Sequence, residues 1–285
     1  MSQPGSPASA PGTRRSPGAA SGTESRTSAR AANAAAIDRR RAIAAKASAA
    51  AGAHAGEWAA VGTGSSGYRA CMLDALGTTV RLLPPWERID PALVSGMPPA
   101  RVREAFRAEM AHYAAHAHEA VDAGHLAALR WECAELLSDG LGRAVSVEQL
   151  MDSIVFEAYP DAAPAMDELR SMGLRLVCVS NWDCDLPAVL ERVGLAGRFD
   201  AVVASATAGA RKPDPAIFRR ALALAGCAAG EAVHVGDSRE DVEGAEAVGI
   251  RVLRLARDGG GDVGSLAEVP ALLRPSRPIG QDPQR

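Results

Sequence analysis

Residues 69–80 read RACMLDALGTTV. Ala70-Cys71-Met72-Leu73 is an apolar run long enough for a buried strand. Asp74 follows with no basic residue beside it, and Gly77 with the pair Thr78-Thr79 breaks the run. A carboxylate at the carboxyl end of a buried strand sits where open α/β sheets hold their ligands. An Asp in such a place also reads as a plain turn former. The chain downstream decides between these readings.

Past residue 159 the pattern alternates. Asp161 starts a helix carrying Met166, Leu169 and Met172, closed by Gly173; LRLVCVS (174–180) follows as a continuous apolar strand. Runs of that kind belong to parallel sheets covered on both faces. A helix from Asp185-Leu186-Pro187 to Val193, stopped by Gly194, leads to a strand at 200–205. Asp214-Pro215 opens the next helix, with Ile217, Phe218, Leu222 and Leu224; a strand at 231–236, a helix from Ser238 to Val248 and a strand at 250–255 complete the series. Strand–helix alternation of this length predicts a doubly wound parallel sheet with right-handed crossovers. Between the first strand and this series the signal differs. Residues 81–97 are rich in Pro and read as an irregular flap. Residues 98–159 carry three helical patterns: Val102/Phe106/Met110/Tyr113, Leu126/Leu129/Cys133/Leu136/Leu137, and a helix at about 146–158 with Leu150, Met151, Ile154 and Val155. Three helices without an intervening strand form a separate helical unit.

The expected organisation is therefore a disordered extension and linker (1–67), a core made of 68–83 and 159–257, a helical unit at 84–158, and a tail (258–285) holding one short helix at Leu266–Leu273. Residues 1–30 are mostly Ser, Pro, Gly, Ala and Arg and cannot bury enough surface to order. Residues 31–52 read as a frayed basic helix or a polybasic tail. A native start near Val61 is an alternative that intact mass would settle. GTGSSG (62–67) matches GxGxxG, but it precedes a strand rather than following one, so it reads as a linker. Arg14-Arg15 lacks the apolar stretch of an export signal.

Charge is close to balanced, with 31 Lys/Arg against 34 Asp/Glu and a formal charge of −3, so bulk charge gives no nucleic-acid signal. The imbalance is local: residues 1–66 hold eight basic and three acidic residues. Five scattered cysteines with no CxxC indicate neither a zinc site nor a disulfide framework. No long uncharged apolar stretch reads as a membrane span. The expectation is a cytoplasmic protein acting on a small molecule.

Four strand ends carry polar groups: Asp74; Ser180-Asn181; Arg211-Lys212-Pro213-Asp214-Pro215 after the third strand; and Asp237 with Asp241 after the fourth. In a parallel sheet these ends lie on one edge. Their chemistry is coherent. Asp74 is suited to nucleophilic attack on phosphorus. Asp74 and Asp237 together repel each other, and Mg²⁺, a hard cation that prefers oxygen, offsets the repulsion. Lys212 adds a positive charge, and the Ser180 hydroxyl and Asn181 amide can donate to phosphoryl oxygens.

The motifs LDALGTT (73–79), VCVSNWD (177–183), ARKPDPAIF (210–218) and VGDSREDVEGA (235–245), in this order, resemble those of the haloacid dehalogenase-like (HAD) hydrolase superfamily over about residues 68–257. The separation of 106 positions from Asp74 to Ser180 leaves room for the helical cap that one subfamily inserts between its first two motifs. The resemblance implies an α/β fold, a Rossmann-like sheet of five core strands in the order 3-2-1-4-5. It implies Asp74 as nucleophile and metal ligand, the Leu76 carbonyl and Asp237 as further ligands, and Asp241 as a ligand or as support for them. Ser180 and Lys212, with Asn181, are the expected partners of the transferred group. Gly77, Thr78, Ser180, Asn181 and Trp86 are the expected substrate-binding residues.

One position departs from the pattern. Phosphatases of the superfamily usually carry a second Asp two residues after the nucleophile, as general acid/base, and here that residue is Leu76. Loss of such a group typically costs about 10²–10⁴-fold in rate. The departure fits a phosphorylated substrate with a good leaving group, or an acid supplied by the cap or the substrate. It also fits hydrolysis of a carbon–halogen bond, whose halide leaves unprotonated, or a phosphate-ester binder with little turnover. The acidic fourth motif favours a Mg²⁺-dependent phosphatase. His112, His116 and His118 read as cap-surface or helix-packing residues. His234 reads as a core or edge residue, not a base. Arg101 and Arg103 are candidate pocket residues on the cap, Trp182 a floor beside the site, and Asp183 a partner for nearby backbone.

Overall fold

The computed structural model describes residues 67–274. The expectations for the N-terminal extension and for the last eleven residues lie outside that range. The core strands are β1 (Ala70–Leu73), β4 (Arg175–Ser180), β5 (Ala201–Ala204), β6 (Ala232–Gly236) and β7 (Arg251–Arg254). They form one sheet in the order β5-β4-β1-β6-β7, parallel throughout. Counted among themselves, these strands have the order 3-2-1-4-5 expected from the sequence. Leu73 stands level with Cys178 on one side and Val235 on the other. The central strands therefore end on one line, and that line places the polar groups.

The apolar runs are continuous because both faces of the sheet are covered. Cys71, Leu73, Leu176 and Cys178 face one layer, with Met166, Leu169, Leu186 and Leu190. Ala70, Met72, Val177 and Val179 face the other, with Ile217, Phe218, Ala221 and Ala245. Successive residues of a strand point to opposite faces, so each strand serves both layers. The first layer is built from α5 (Ala162–Ser171) and α6 (Leu186–Arg192), the second from α8 (Pro215–Ala225) and α9 (Arg239–Glu246). A short helix, α7 (Ser205–Ala208), follows β5 directly. The expected core boundary at residue 257 does not end the packing: Val263, Leu266, Val269 and Leu273 are buried in the first layer, the last two on α10 (Val269–Leu273).

The inserted helices are α1 (Pro91–Val94), α2 (Pro99–His116), α3 (Ala123–Leu141) and α4 (Val147–Ser153). They share a core of their own around Phe106, Leu126, Leu129, Cys133, Leu137 and Leu150. Asp122 caps α3 by accepting from the Gly124 and His125 amides, and Ser146 and Gln149 form a reciprocal box at the start of α4. The third helix expected at 146–158 stops at Ser153. Ile154 turns extended, and Phe156–Ala158 (β3) pairs antiparallel with Val80–Leu82 (β2). A β-branched pair ends the helix poorly disposed to continue, and the ladder with β2 outweighs the remaining helical pattern. This two-stranded ribbon carries the chain out of the core and back. Among the described residues no helix is long and apolar enough to cross a membrane.

Candidate active site

The Asp74 amide continues the β1 ladder by donating to the Val235 carbonyl at 3.0 Å, and Thr79 Oγ1 donates to the Asp74 carbonyl at 2.9 Å. The Asp74 side chain is thus fixed at the root of the sheet edge, 5% exposed. The turn beyond it needs glycine. Gly77 has φ +84°, and a Cβ there would lie 2.1 Å from Asp237 Oδ2. At the end of β6, a Cβ on Gly236 would lie 2.3 Å from Asp241 Cγ. Leu76, between Asp74 and Gly77, is 44% exposed.

The Lys212 ammonium lies between two carboxylates, 2.7 Å from Asp74 Oδ1 and 2.6 Å from Asp241 Oδ1. Lys212, Asp241 and Ser180 are all buried. Ser180 donates its hydroxyl to the Asp74 carboxylate. Asn181 faces Lys212 from the other side: its Oδ1 accepts from the Lys212 amide at 2.8 Å and its Nδ2 donates to the Lys212 carbonyl at 3.1 Å. In this structure the Asn181 amide holds the loop that presents the lysine. Asp214, two residues on, caps α8 by accepting from the Ala216 amide.

Asp241 is the most heavily bonded acid of the group. Oδ1 accepts from Lys212 and from His234 Nε2 at 2.7 Å; Oδ2 accepts from the Ser238 hydroxyl at 2.6 Å and the Ser238 amide at 3.2 Å. His234 is fully buried on β6, with its Phe218-facing ring held edge-on. A histidine three residues before Asp237, alone in an otherwise apolar strand, was the available signal for this contact. Asp237 differs: it is exposed, and Thr78 Oγ1 stands 3.5 Å from its Oδ1.

Proton affinities follow from these surroundings. Burial pushes Asp74 above the ordinary carboxylate range, with Lys212 opposing and Asp241 adding to the rise. Burial would raise Asp241 too, but Lys212 and His234 hold it well below. Burial, Asp74 and Asp241 push Asp237 up to about 6. Burial alone would lower Lys212; Asp74 and Asp241 raise it instead. Three carboxylates surround one ammonium, so the cluster lacks positive charge. One oxygen from each of Asp74, Asp237 and Asp241 lies within 4.8 Å of the others, and no other group of three such side chains is as close among the described residues. These hard oxygen donors fit a divalent cation. Asp74 and Asp237 have lone pairs to offer it, whereas both oxygens of Asp241 already accept two hydrogen bonds each.

The inserted helices, expected from the sequence to form a cap, rest on the second strand-end loop. Tyr113 donates to Asp183 Oδ2 at 2.7 Å, Arg130 pairs with Asp185 at 3.1 Å, and the Cys184 amide donates to the Ala120 carbonyl at 3.0 Å. Trp182 is buried, its ring 5.1 Å from that of Phe156. Trp86 lines an apolar hollow of about 150 Å³ with Val94, Met97, Pro99 and Val102, all of the cap. His112 pairs with Glu132 at 3.1 Å and stacks on His116, a surface arrangement. Arg257, just past β7, was not singled out by the sequence; it reaches the Gly77 and Thr78 carbonyls. Its one signal was its place at the fifth strand end.

A family model described as haloacid dehalogenase-like hydrolase matches residues 68–249. A bovine haloacid dehalogenase-like hydrolase domain-containing protein 3 is 47% identical over 88 residues, 30% of this chain and 35% of that protein. The phosphoserine phosphatase of Thermus thermophilus is 39% identical over 104 residues, 36% of this chain and 42% of that protein. The chain thus matches well under two thirds of the length of these relatives. In fold it resembles the L-2-haloacid dehalogenase of Xanthobacter autotrophicus, with a TM-score of 0.55 at 21% identity, covering 73% of this chain and 98% of that one. With the family model spanning the whole sheet edge that carries Asp74, Ser180, Lys212 and Asp237, the chain belongs to the haloacid dehalogenase-like hydrolase family.

Proposed function

We propose that the protein is a Mg²⁺-dependent phosphatase of small phosphorylated metabolites, using Asp74 as nucleophile. The observation that carries this reading is the excess of carboxylate: Asp74, Asp237 and Asp241 share one small space with a single ammonium. An anionic substrate entering that space is repelled unless a cation joins it. Asp74 and Asp237, with the Leu76 carbonyl, would hold Mg²⁺, while Asp241 anchors Lys212. The bound ion supplies charge neutralisation for the phosphoryl group.

Lys212 engages Asp74 Oδ1, leaving Oδ2 as the attacking atom. Attack on phosphorus forms the Asp74 aspartyl-phosphate and breaks the bond to the leaving oxygen, which departs with the electron pair. Water then attacks the same phosphorus, releasing phosphate and restoring the carboxylate. Ser180 and Lys212 hold the transferring group, Asn181 holds the loop that presents Lys212, and Gly77 and Thr78 border the substrate. Leu76 has no proton to give. The substrate is therefore an acyl phosphate or activated ester, or the acid comes from the substrate or the cap.

The second reading, hydrolysis of a 2-haloacid by Asp74, is favoured by the same exposed Leu76, since a halide needs no proton. A panel of phosphate esters, acyl phosphates and 2-haloacids, each with Mg²⁺ and with EDTA, separates the two. Mg²⁺-dependent phosphate release is expected, fastest from acyl phosphates, and lost in Asp74→Asn. Halide release in EDTA would overturn the phosphatase reading. Leu76→Asp should raise turnover of poor leaving groups by at least about tenfold; no gain would show that the missing acid is not limiting.

A further inference from the structure

The β2–β3 ribbon is the neck through which the cap joins the core, and its base, at Thr79, lies five residues from the nucleophile. Leu83 donates to the Val155 carbonyl at one end and Tyr159 to the Thr79 carbonyl, at 3.0 Å, at the other. Arg257 meets the chain just before β2 and just after β3. Its Nη2 donates to the Thr78 carbonyl at 2.7 Å and its Nε to the Gly77 carbonyl at 3.3 Å, on the outgoing side. Its guanidinium lies 3.5 Å from the centre of the Tyr159 ring, on the returning side. Two further bonds, 3.0 and 3.1 Å, go to the Asp161 carboxylate at the start of α5. Asp161 was expected to cap that helix; it makes no cap bond and instead accepts from Arg257, the Ser265 hydroxyl and the Leu266 amide.

Only a planar fork with several fixed donors can meet two carbonyls, a carboxylate and a ring face at once. Gly77 and Thr78, the residues it grips, are those that abut Asp237. We propose that Arg257 is a positioning residue for hydrolysis: it pins the cap neck to the core and so fixes the Gly77–Thr78 peptides between Asp74 and Asp237. The inference rests on the hydrolase reading above for its kinetic part alone. It reaches the reaction through backbone, and Arg257 touches none of the reacting groups.

Arg257→Lys in the full chain keeps the charge and removes the fork. Hydrogen exchange should quicken at residues 77–83 and 156–160, while β4 and β6 amides keep wild-type protection. On the panel's best substrate kcat should fall by about tenfold or more, since small misplacements of reacting groups are costly, with KM within about twofold. Unchanged exchange in the neck, or faster exchange spread evenly over the sheet, would overturn the proposal. So would a loosened neck with unchanged kcat. If wild type turns over no substrate, the hydrolase reading fails, and the exchange pattern still tests the pin. If Arg257→Lys does not fold, Asp161→Asn loosens the same contact more gently, with the same expected pattern.

Discussion

Asp241 at the sheet edge and Glu109 inside the cap are both buried, yet their proton affinities move in opposite directions. Asp241 is met by an ammonium, an imidazole N–H, a hydroxyl and an amide. Glu109 has the Cys133 thiol as its donor, and its Oε2 has no hydrogen-bond partner. Burial raises Glu109 to about 7, against an ordinary 4.5. The same loss of water surrounds both acids, so the difference comes from the donors. In the core the sequence supplies a lysine from one strand end and a serine and histidine from another. In the cap, α2 and α3 supply an apolar interior and nothing to balance a charge.

Removing the better-supplied acid should have the largest effect. Asp241→Asn leaves buried Lys212 with Asp74 as its one remaining carboxylate partner, and should cost about 3 kcal/mol of stability. Denaturant unfolding at pH 7 measures it, and a loss below about 1 kcal/mol would mean Lys212 does not depend on Asp241. The pH sign follows. With its folded value depressed, the contribution of Asp241 is present above the ordinary Asp range and drains away as pH falls below it.

Glu109 carries the reverse sign. Its folded value is raised, so wild-type stability falls as pH climbs from 4.5 to about 7 and the folded chain gives up a proton it held. The full swing is bounded by about 3 kcal/mol. Glu109→Gln should abolish that slope and leave the protein more stable than wild type at pH 8 by about 1–3 kcal/mol. Parallel unfolding curves for both proteins across pH 4–8 would break the comparison.

Asp237 lies between the two cases, exposed but crowded by Asp74 and Asp241. Asp237→Asn should move stability least, by under about 1 kcal/mol. The change should be a gain that grows as pH rises from 3.8 to about 6 and stays level above that, because the unfolded wild type ionises before the folded one. Titration calorimetry with Mg²⁺ should show affinity reduced by more than about tenfold, because a carboxylate ligand is lost. Unaltered Mg²⁺ affinity would remove Asp237 from the proposed ion site.

Much of this was legible in the chain. VCVSN and VHVGD announce strands buried on both faces with polar ends, and a parallel sheet brings such ends together without further information. What escaped reading depends on partners far away in sequence. Phe156–Ala158 becomes a strand because Val80–Leu82 waits beside it. His234 reads as core and is buried, but its bond to Asp241 is not legible, because nothing local shows that Asp241 turns back toward it. Asn181 was assigned to the substrate, and its amide is taken up by the Lys212 backbone. Arg257 stands outside all four motifs, and two of its four targets are carbonyls, which carry no sequence signature.

Gly77 and Gly236 work by subtraction: each leaves a hollow of about one methyl group, and a carboxylate fills it. Randomising codons 77 and 236 together and selecting for function should return glycine at both, however freely Leu76 between the first of them and the nucleophile is allowed to vary. Two hydrogen atoms, more than any polar side chain, set how near the acids of this site can come to one another.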